Sequence, residues 1–148
     1  MKIAVVGGGI VGATCAYYLS KEQKNEIVVF DYGVGQATKA SAGIISPWFS
    51  KRRNKPWYKM ARLGADFYLK LVKDLEVDGY NTDFYSQCGV YLLKKNEDKL
   101  PELKELAESR KELSPMIGNL EITSKEEVRK IIPSFDNNGD VLYASGGG

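Results

Sequence analysis

Three glycines near the N-terminus and one later acidic residue have the types and spacing suited to binding a dinucleotide. Gly7, Gly9 and Gly12 form the pattern G-x-G-x-x-G, and Asp31 follows nineteen residues after Gly12. The first glycine permits a sharp turn out of a strand, the second lets a pyrophosphate approach the backbone, and the third lets a helix lie close to the sheet. A carboxylate after the second strand can accept hydrogen bonds from both hydroxyls of an adenosine ribose, and it disfavours a 2′-phosphate. The spacing therefore predicts a dinucleotide site, with NADP as the least favoured dinucleotide.

A strand, a helix and a second strand are expected to position these residues. Lys2–Val6 is rich in Ile, Ala and Val and is predicted to be a buried strand. Residues 10–21 are predicted to form a helix whose N-terminus offers unpaired N–H groups to the phosphates, and residues 27–30 form the second strand. This βαβ context favours dinucleotide binding over a purely structural glycine turn. The alternative of a secretory signal is rejected, because the glycines interrupt its apolar segment and no convincing cleavage pattern follows.

The composition excludes several functional classes. A chain of 148 residues with 43% hydrophobic residues is a globular protein of ordinary domain size, and a net charge of +2 gives no reason to expect nucleic acid as a partner. No apolar run approaches the length of a membrane span. Because the chain has no His, a Ser-His-Asp triad and a His-based metal site are impossible within it, and no metal site is expected. Cys15 and Cys88 lie far apart and are predicted to be buried residues of a reducing, cytoplasmic compartment.

Residues 32–55 form a long connection, which in a compact domain is usually functional or disordered. Its centre, TKASAGII at residues 38–45, is neither polar nor of low complexity. Two interpretations are equally favoured at this point: backbone pressed closely against something flat, or a buried connection packed against its own domain. The basic run at residues 51–55 is interpreted as a solvated surface in preference to a site for a carboxylate or an anionic surface.

The remainder of the chain alternates between helical and extended patterns. An amphipathic helix is predicted for residues 57–75, with an aromatic stripe that belongs to a core. Ser124 and Glu127 predict a capping box for a short helix that ends before Pro133. Further elements are predicted as a strand at 84–94 with a bulge or a close approach of backbone at Gly89, a helix at 96–113 and a strand at 140–144. The pattern predicts an α/β protein.

The opening βαβ unit and the segment ATKASAGIISPW after Asp31 resemble the N-terminal part of the FAD-dependent D-amino-acid oxidase superfamily, and the pattern is closest to that of the glycine oxidases and D-amino-acid dehydrogenases. The resemblance implies a Rossmann-like FAD/NAD(P)-binding βαβ unit followed by the beginning of an α+β substrate domain. It places the N-terminal part of the FAD-binding domain at residues 1–76 and a partial substrate-domain segment at residues 77–148. It covers the whole chain but only about two-fifths of a typical member, so the chain is expected to be a fragment.

The same resemblance implies which residues contact FAD. Lys39 stands where relatives often carry Ser or an apolar residue, although a Lys beside a pyrophosphate is electrostatically favourable. No catalytic residue is assigned, because the substrate-holding Arg and Tyr of the family come from the portion beyond these residues. The implied contacts are Gly7, Gly9, Ile10, Val11 and Gly12 with the pyrophosphate, Asp31 and Tyr32 with the adenosine half, Thr38 near the phosphates, and Ala42, Gly43 and Ile44 near the flavin ring.

The function implied by the resemblance is FAD-dependent oxidation of the C–N bond of a small amino acid, with hydride passing to the flavin. The fragment alone is expected to be inactive, because only one wall of a flavin site is encoded. The expected partner is the amino-acid substrate, and the sequence leaves homo-oligomerisation open. Two alternatives remain: a NAD-binding dehydrogenase module, and a non-catalytic dinucleotide-binding or regulatory module.

Overall fold

The computed structural model describes residues 1–52 and 54–148, and the mixed order of its elements makes the chain an α/β protein. Arg53, part of the basic run, lies outside the described residues. No helix in the described part of the chain is long and apolar enough to cross a bilayer. The elements are β1 Lys2–Val6, α1 Ile10–Ser20, β2 Glu26–Phe30, α2 Ala37–Ala40, a 3-10 turn at Pro47–Phe49, α3 Lys55–Val77, β3 Val90–Leu92, α4 Lys99–Glu108, a second 3-10 turn at Pro115–Ile117, β4 Leu120–Thr123, α5 Lys125–Ile131 and β5 Val141–Ala144.

The residue contacts divide the chain into two compact units, Met1–Ile44 and Ile45–Gly148. The first unit, called here the N-terminal unit, contains β1, α1, β2 and α2. The second, called here the C-terminal unit, contains α3 and all later elements. The assignment of residues 45–76 to the FAD-binding domain of a longer protein remains a prediction.

The N-terminal unit is a parallel βαβ arrangement. β1 and β2 pair in parallel, with Lys2 opposite Glu26 and Val6 opposite Phe30, and α1 packs against both strands. The predicted strand at β1 is confirmed, but its predicted burial is wrong, because its residues alternate between half-buried and exposed. The physical reason is that two strands and one helix leave much of the sheet uncovered. Val6, for example, is 87% exposed.

The C-terminal unit has a three-stranded antiparallel sheet in the order β3-β5-β4. α4 packs against β4 and β5. A continuous apolar core lies beneath these elements, and its fully buried members include Trp48, Leu100, Leu103, Ile117 and Leu142. The predicted helix over 57–75 is confirmed as α3, which begins earlier because Asn54 caps it by accepting a hydrogen bond from Trp57 N.

Two predicted elements are shorter than expected. The strand predicted at 84–94 is reduced to β3, because Gly89 adopts φ +81° and its amide donates to Gly147 O. The helix predicted at 96–113 is reduced to α4, since tighter i→i−3 bonds, such as that from Arg110 N to Ala107 O, close its C-terminal end. β4 was not predicted, because a four-residue strand is specified by its pairing with β5 more than by its own pattern.

Two further local predictions have opposite outcomes. The capping box is present: Ser124 Oγ accepts from Glu127 N, and Glu127 Oε2 accepts from Ser124 N, both at 3.3 Å. The predicted burial of the cysteines is wrong, since Cys15 and Cys88 are both exposed free thiols. Cys15 lies on α1, which is covered on one side only, and Cys88 lies in the irregular segment before β3.

Candidate functional site

The glycine-rich turn between β1 and α1 is a close-packed backbone structure. Gly7 has φ +98°, and its amide donates to Phe30 O at 2.7 Å, which fixes the turn to the end of β2. A Cβ added to Gly12 would lie 1.8 Å from Gly7 O, so no other residue allows α1 to lie this close to the turn. The first and third glycines therefore do what the sequence pattern predicts of them.

Asp31 connects this turn to the segment that follows β2. Its Oδ2 accepts a hydrogen bond from Gly8 N at 2.5 Å. Its Oδ1 accepts from Gly33 N at 2.7 Å and from Gln36 Nε2 at 3.1 Å. The amide of Gly8, then that of Gly33 and the Gln36 side chain, hold the pKa of the Asp31 carboxyl below its ordinary value, with a smaller contribution from the charge of Lys39. The carboxylate is therefore ionised and lies at the glycine-rich turn.

Thr38 lies over the N-terminus of α1. Its Oγ1 accepts a hydrogen bond from Ile10 N at 3.1 Å and would lie 3.3 Å from a Cβ added at Gly9. The position of Thr38 is set by α2, a short helix that the sequence did not predict, and Ser41 Oγ donates to Thr38 O at 2.9 Å. The expectation of unpaired N–H groups at the start of α1 is therefore wrong for Ile10. The hydroxyl that accepts from Ile10 N also has a proton of its own to donate.

An open cleft of about 430 Å³ runs along this turn. It brings together all five residues predicted for the pyrophosphate, and Thr38 with them. Asp31 is connected to the cleft through Gly8, whereas Tyr32, Ala42, Gly43 and Ile44 are exposed and are not among the residues that line it. The lining residues are Val5, Val6, Gly7, Gly9, Ile10, Val11, Gly12, Cys15 and Thr38.

Sequence reasoning missed Gly33, Gln36 and Cys15 as neighbours of the site. The contact of Gly33 could have been predicted, because an Asp followed two residues later by Gly is typical of a turn in which the carboxylate accepts a hydrogen bond from a backbone amide. Gln36 carried no such signal, since its contact depends on how residues 32–35 fold back toward Asp31. Cys15 lies one turn of α1 beyond Gly12 on the cleft side.

The basic run of the C-terminal unit forms contacts of its own. Lys51 Nζ pairs with Glu102 Oε1 at 2.7 Å, and this hydrogen bond is the main reason why the pKa of Glu102 is lowered. The guanidinium of Arg52 lies 4.8 Å from the centre of the Trp57 ring. Both residues are exposed, as expected of a solvated surface segment.

The residues of the cleft fit a nucleotide pyrophosphate. The turn has glycine where bulk would block close approach, a helix N-terminus is aimed at the cleft, and the Thr38 hydroxyl stands at the same point. Lys39 follows Thr38 in α2 and provides positive charge nearby. Asp31 offers the carboxylate that a ribose requires.

The comparisons with known proteins agree on one family of oxidoreductases. The family model DAO, described as FAD dependent oxidoreductase, matches residues 2–148. An uncharacterized oxidoreductase of Bacillus subtilis is 37% identical over 142 residues, which is 96% of this chain and 38% of that protein. The glycine oxidase of Bacillus subtilis is 28% identical over 147 residues, or 97% of this chain and 37% of that protein.

A solved structure agrees in fold along the chain. The crystal structure of iminodiacetate oxidase from Chelativorans sp. BNC1 matches with a TM-score of 0.88 and 25% sequence identity. The match covers 99% of this chain and 40% of that one. The chain therefore spans about two-fifths of the length of each of these three relatives.

Proposed function

The chain belongs to the DAO family of FAD-dependent oxidoreductases, and from this membership we propose that it forms the nucleotide-binding part of an enzyme that oxidises the C–N bond of a small amino acid. FAD is the cofactor of the family. The observation that carries the proposal is the turn in which Gly12 lies against Gly7 O while Gly8 N donates to the Asp31 carboxylate. This arrangement supports a Rossmann-like unit, in which a diphosphate lies at the turn and a ribose lies at the acid.

The residues that would hold FAD follow from their positions. Gly7, Gly9, Ile10, Val11 and Gly12 would face the pyrophosphate, with the Thr38 hydroxyl donating to a phosphate oxygen. Asp31 would accept from the ribose, and Tyr32, which is 92% exposed, has its ring free to face the adenosine. Ala42, Gly43 and Ile44 would lie along the flavin ring, and their exposure in this chain leaves that surface accessible.

The proposed substrate is a small amino acid. FAD, when bound, supplies the group that accepts a hydride from the substrate. Glycine and iminodiacetate, which name two of the matched oxidases, each contain a C–N bond adjacent to a carboxylate. The chain's own contribution is to bind and orient the nucleotide part of the cofactor. Residues 1–76 are proposed to belong to the FAD-binding domain and residues 77–148 to part of the substrate domain.

We expect the 148-residue chain alone to bind FAD weakly and to have no turnover, because it spans 38% of the matched oxidoreductase and a flavin ring needs protein on both faces. The test is a titration of the purified chain with FAD, followed by assay of peroxide formation with glycine. Tightly held yellow flavin together with glycine-dependent peroxide would contradict this expectation.

A protein of the relatives' length that contains this sequence provides the test of the cofactor. Its absorption spectrum should show flavin bands at about 375 and 450 nm, which are set by the cofactor itself. A colourless protein that binds NAD would support the dehydrogenase alternative instead. A colourless protein that binds neither dinucleotide would support the non-catalytic alternative. The cytoplasmic location expected from the sequence stays a prediction.

A further inference from the structure

We propose that the Gln36 side chain occupies a place on the Asp31 carboxylate that a ribose hydroxyl needs, so that Gln36 competes with the nucleotide. The inference rests on the proposed function, since it concerns the same acid and the same ribose. It assigns an inhibitory role to a residue in α2's N-terminal cap position, five residues after Asp31.

The count of acceptor sites on Asp31 carries the argument. An ionised carboxylate offers about four lone-pair positions, two on each oxygen. Oδ1 already accepts two hydrogen bonds, from Gly33 N and Gln36 Nε2, and Oδ2 accepts one from Gly8 N. One position on Oδ2 remains open. A ribose that donates both its 2′- and 3′-hydroxyls needs two positions, so one of the existing donors must leave.

Gln36 is the donor that can leave at the lowest cost. Gly8 N is held by the turn that Gly7 N fixes to Phe30 O, and Gly33 N belongs to a short turn starting at Asp31 itself. Gln36 Nε2 is the longest of the three contacts, at 3.1 Å, and lies at the end of a flexible, half-buried side chain. Rotation toward solvent exchanges this bond for one with water and recovers side-chain entropy.

A supporting role for Gln36 predicts a change in nucleotide affinity of the opposite sign. If the amide orients the carboxylate for the ribose, its removal weakens nucleotide binding. If it competes, its removal strengthens binding. The sign of the change in affinity therefore decides between the two roles. If Gln36 had a purely structural role, its removal would change the affinity for ADP and for 2′-deoxy-ADP, which lacks one ribose hydroxyl, by the same factor.

The experiment measures binding of ADP to the full 148-residue chain by the amide chemical shifts of the N-terminal unit. The variants are Gln36→Ala and Gln36→Met, the second of which keeps side-chain length without a hydrogen-bond donor. Both should bind ADP about 2- to 10-fold more tightly than the parent chain, the range expected for release of one exposed hydrogen bond to a charged group. Gln23→Ala, which removes an exposed amide in the turn after α1, is the matched control and should change nothing.

A second ligand tests the acceptor count directly. 2′-Deoxy-ADP donates one ribose hydroxyl, and the open position on Oδ2 can accept it. The gain caused by Gln36→Ala should therefore disappear with this ligand. In the absence of nucleotide, the same substitution should raise the pKa of Asp31, because it removes one of the donors that lowers it.

Three outcomes would overturn the inference. Equal or weaker ADP binding by both variants shows that Gln36 does not compete, and if the parent chain still binds ADP the proposed function is unaffected. An equal gain with ADP and 2′-deoxy-ADP shows that the second hydroxyl is not involved. Absence of ADP binding by every variant overturns the inference and also counts against the proposed nucleotide site.

Discussion

The N-terminal and C-terminal units are stabilised in different ways. No residue in Met1–Ile44, all of which the structure describes, is buried, whereas the C-terminal unit contains an apolar core with Trp48, Leu103 and Ile117 fully enclosed. The N-terminal unit depends instead on directional bonds: the β1–β2 ladder, the contacts of Asp31, and Thr38 accepting from Ile10 N.

This difference affects what a bound ligand would do to each unit. A unit without fully buried side chains gains less from hydrophobic burial than a unit with a core, so its local opening is expected to cost less free energy than that of the C-terminal unit. The same exposure leaves the glycine-rich turn and the Asp31 carboxylate accessible to a ligand. A nucleotide that binds here would add the contacts that the unit lacks and raise its stability by mass action.

The largest expected effect is in the core of the C-terminal unit. Leu103→Ala should lower the free energy of unfolding by about 2–5 kcal/mol, since Leu103 is 1% exposed and the surrounding residues cannot fill the cavity. Urea denaturation followed by Trp fluorescence measures it. Leu69→Ala is the matched control on α3, where the side chain is 39% exposed, and should cost under about 1 kcal/mol. Equal losses of unfolding free energy in the two variants would contradict the expected difference between the buried and the exposed leucine.

The next effect concerns the glycine-rich turn. Gly12→Ala should destabilise the N-terminal unit by about 1–3 kcal/mol, because the new methyl would lie 1.8 Å from Gly7 O and 3.0 Å from Gly7 C, both rigid backbone atoms. Hydrogen exchange of the Gly7 amide, which bonds to Phe30 O, should become faster, and binding of FAD should weaken. Unchanged exchange at Gly7 would show that α1 does not need the close approach.

A glycine in the C-terminal unit allows a matched Gly→Ala substitution, whose expected effect on stability has the opposite sign. Gly64 lies within α3, and a Cβ added there meets nothing within 4 Å. Gly64→Ala should therefore stabilise the chain by about 0.5–1 kcal/mol through reduced backbone entropy of the unfolded state. A rise in the urea midpoint would be the expected result. A fall would mean that this face of α3 is in contact with other atoms.

The smallest effect is the pH dependence of the N-terminal unit. The pKa of Asp31 is lowered in the folded chain, so its contribution to stability is present above the ordinary value of 3.8 and is lost as the pH falls through the lowered pKa. The amide shifts of Gly8 and Gly33 should report this loss. Asp31→Asn should abolish the acidic transition at these amides. A transition that persists in this variant would assign the titration to another group.

Local signals in the sequence were sufficient to predict the βαβ unit with its glycine-rich turn, and the cap of α5. The spacing of Gly7, Gly9 and Gly12 with Asp31 predicted the βαβ unit, and Ser124 with Glu127 predicted the cap of α5, because each depends on residues close in the chain. The family resemblance was likewise carried by the segment after Asp31 and is confirmed by the family match.

Properties that depend on distant neighbours could not be predicted in this way. The apolar pattern of β1 indicates a buried strand, but burial requires a second layer, and Val6 remains 87% exposed. β4 depends on pairing with β5, and the contact of Gln36 with Asp31 depends on the path of residues 32–35. In each case the sequence supplies the chemical group, whereas the fold determines its partner.

The most direct test of the nucleotide site is a titration of the isotope-labelled chain with FAD, monitored at every backbone amide. The largest changes should occur at Gly8, Ile10 and Gly33, whose N–H groups contact Asp31 or Thr38, and at the other amides of the glycine-rich turn. Asp31→Asn should weaken the response, since a neutral amide accepts fewer hydrogen bonds from a ribose. Changes confined to residues 45–148, or no change at saturating FAD, would contradict the assignment of the dinucleotide site to the N-terminal unit.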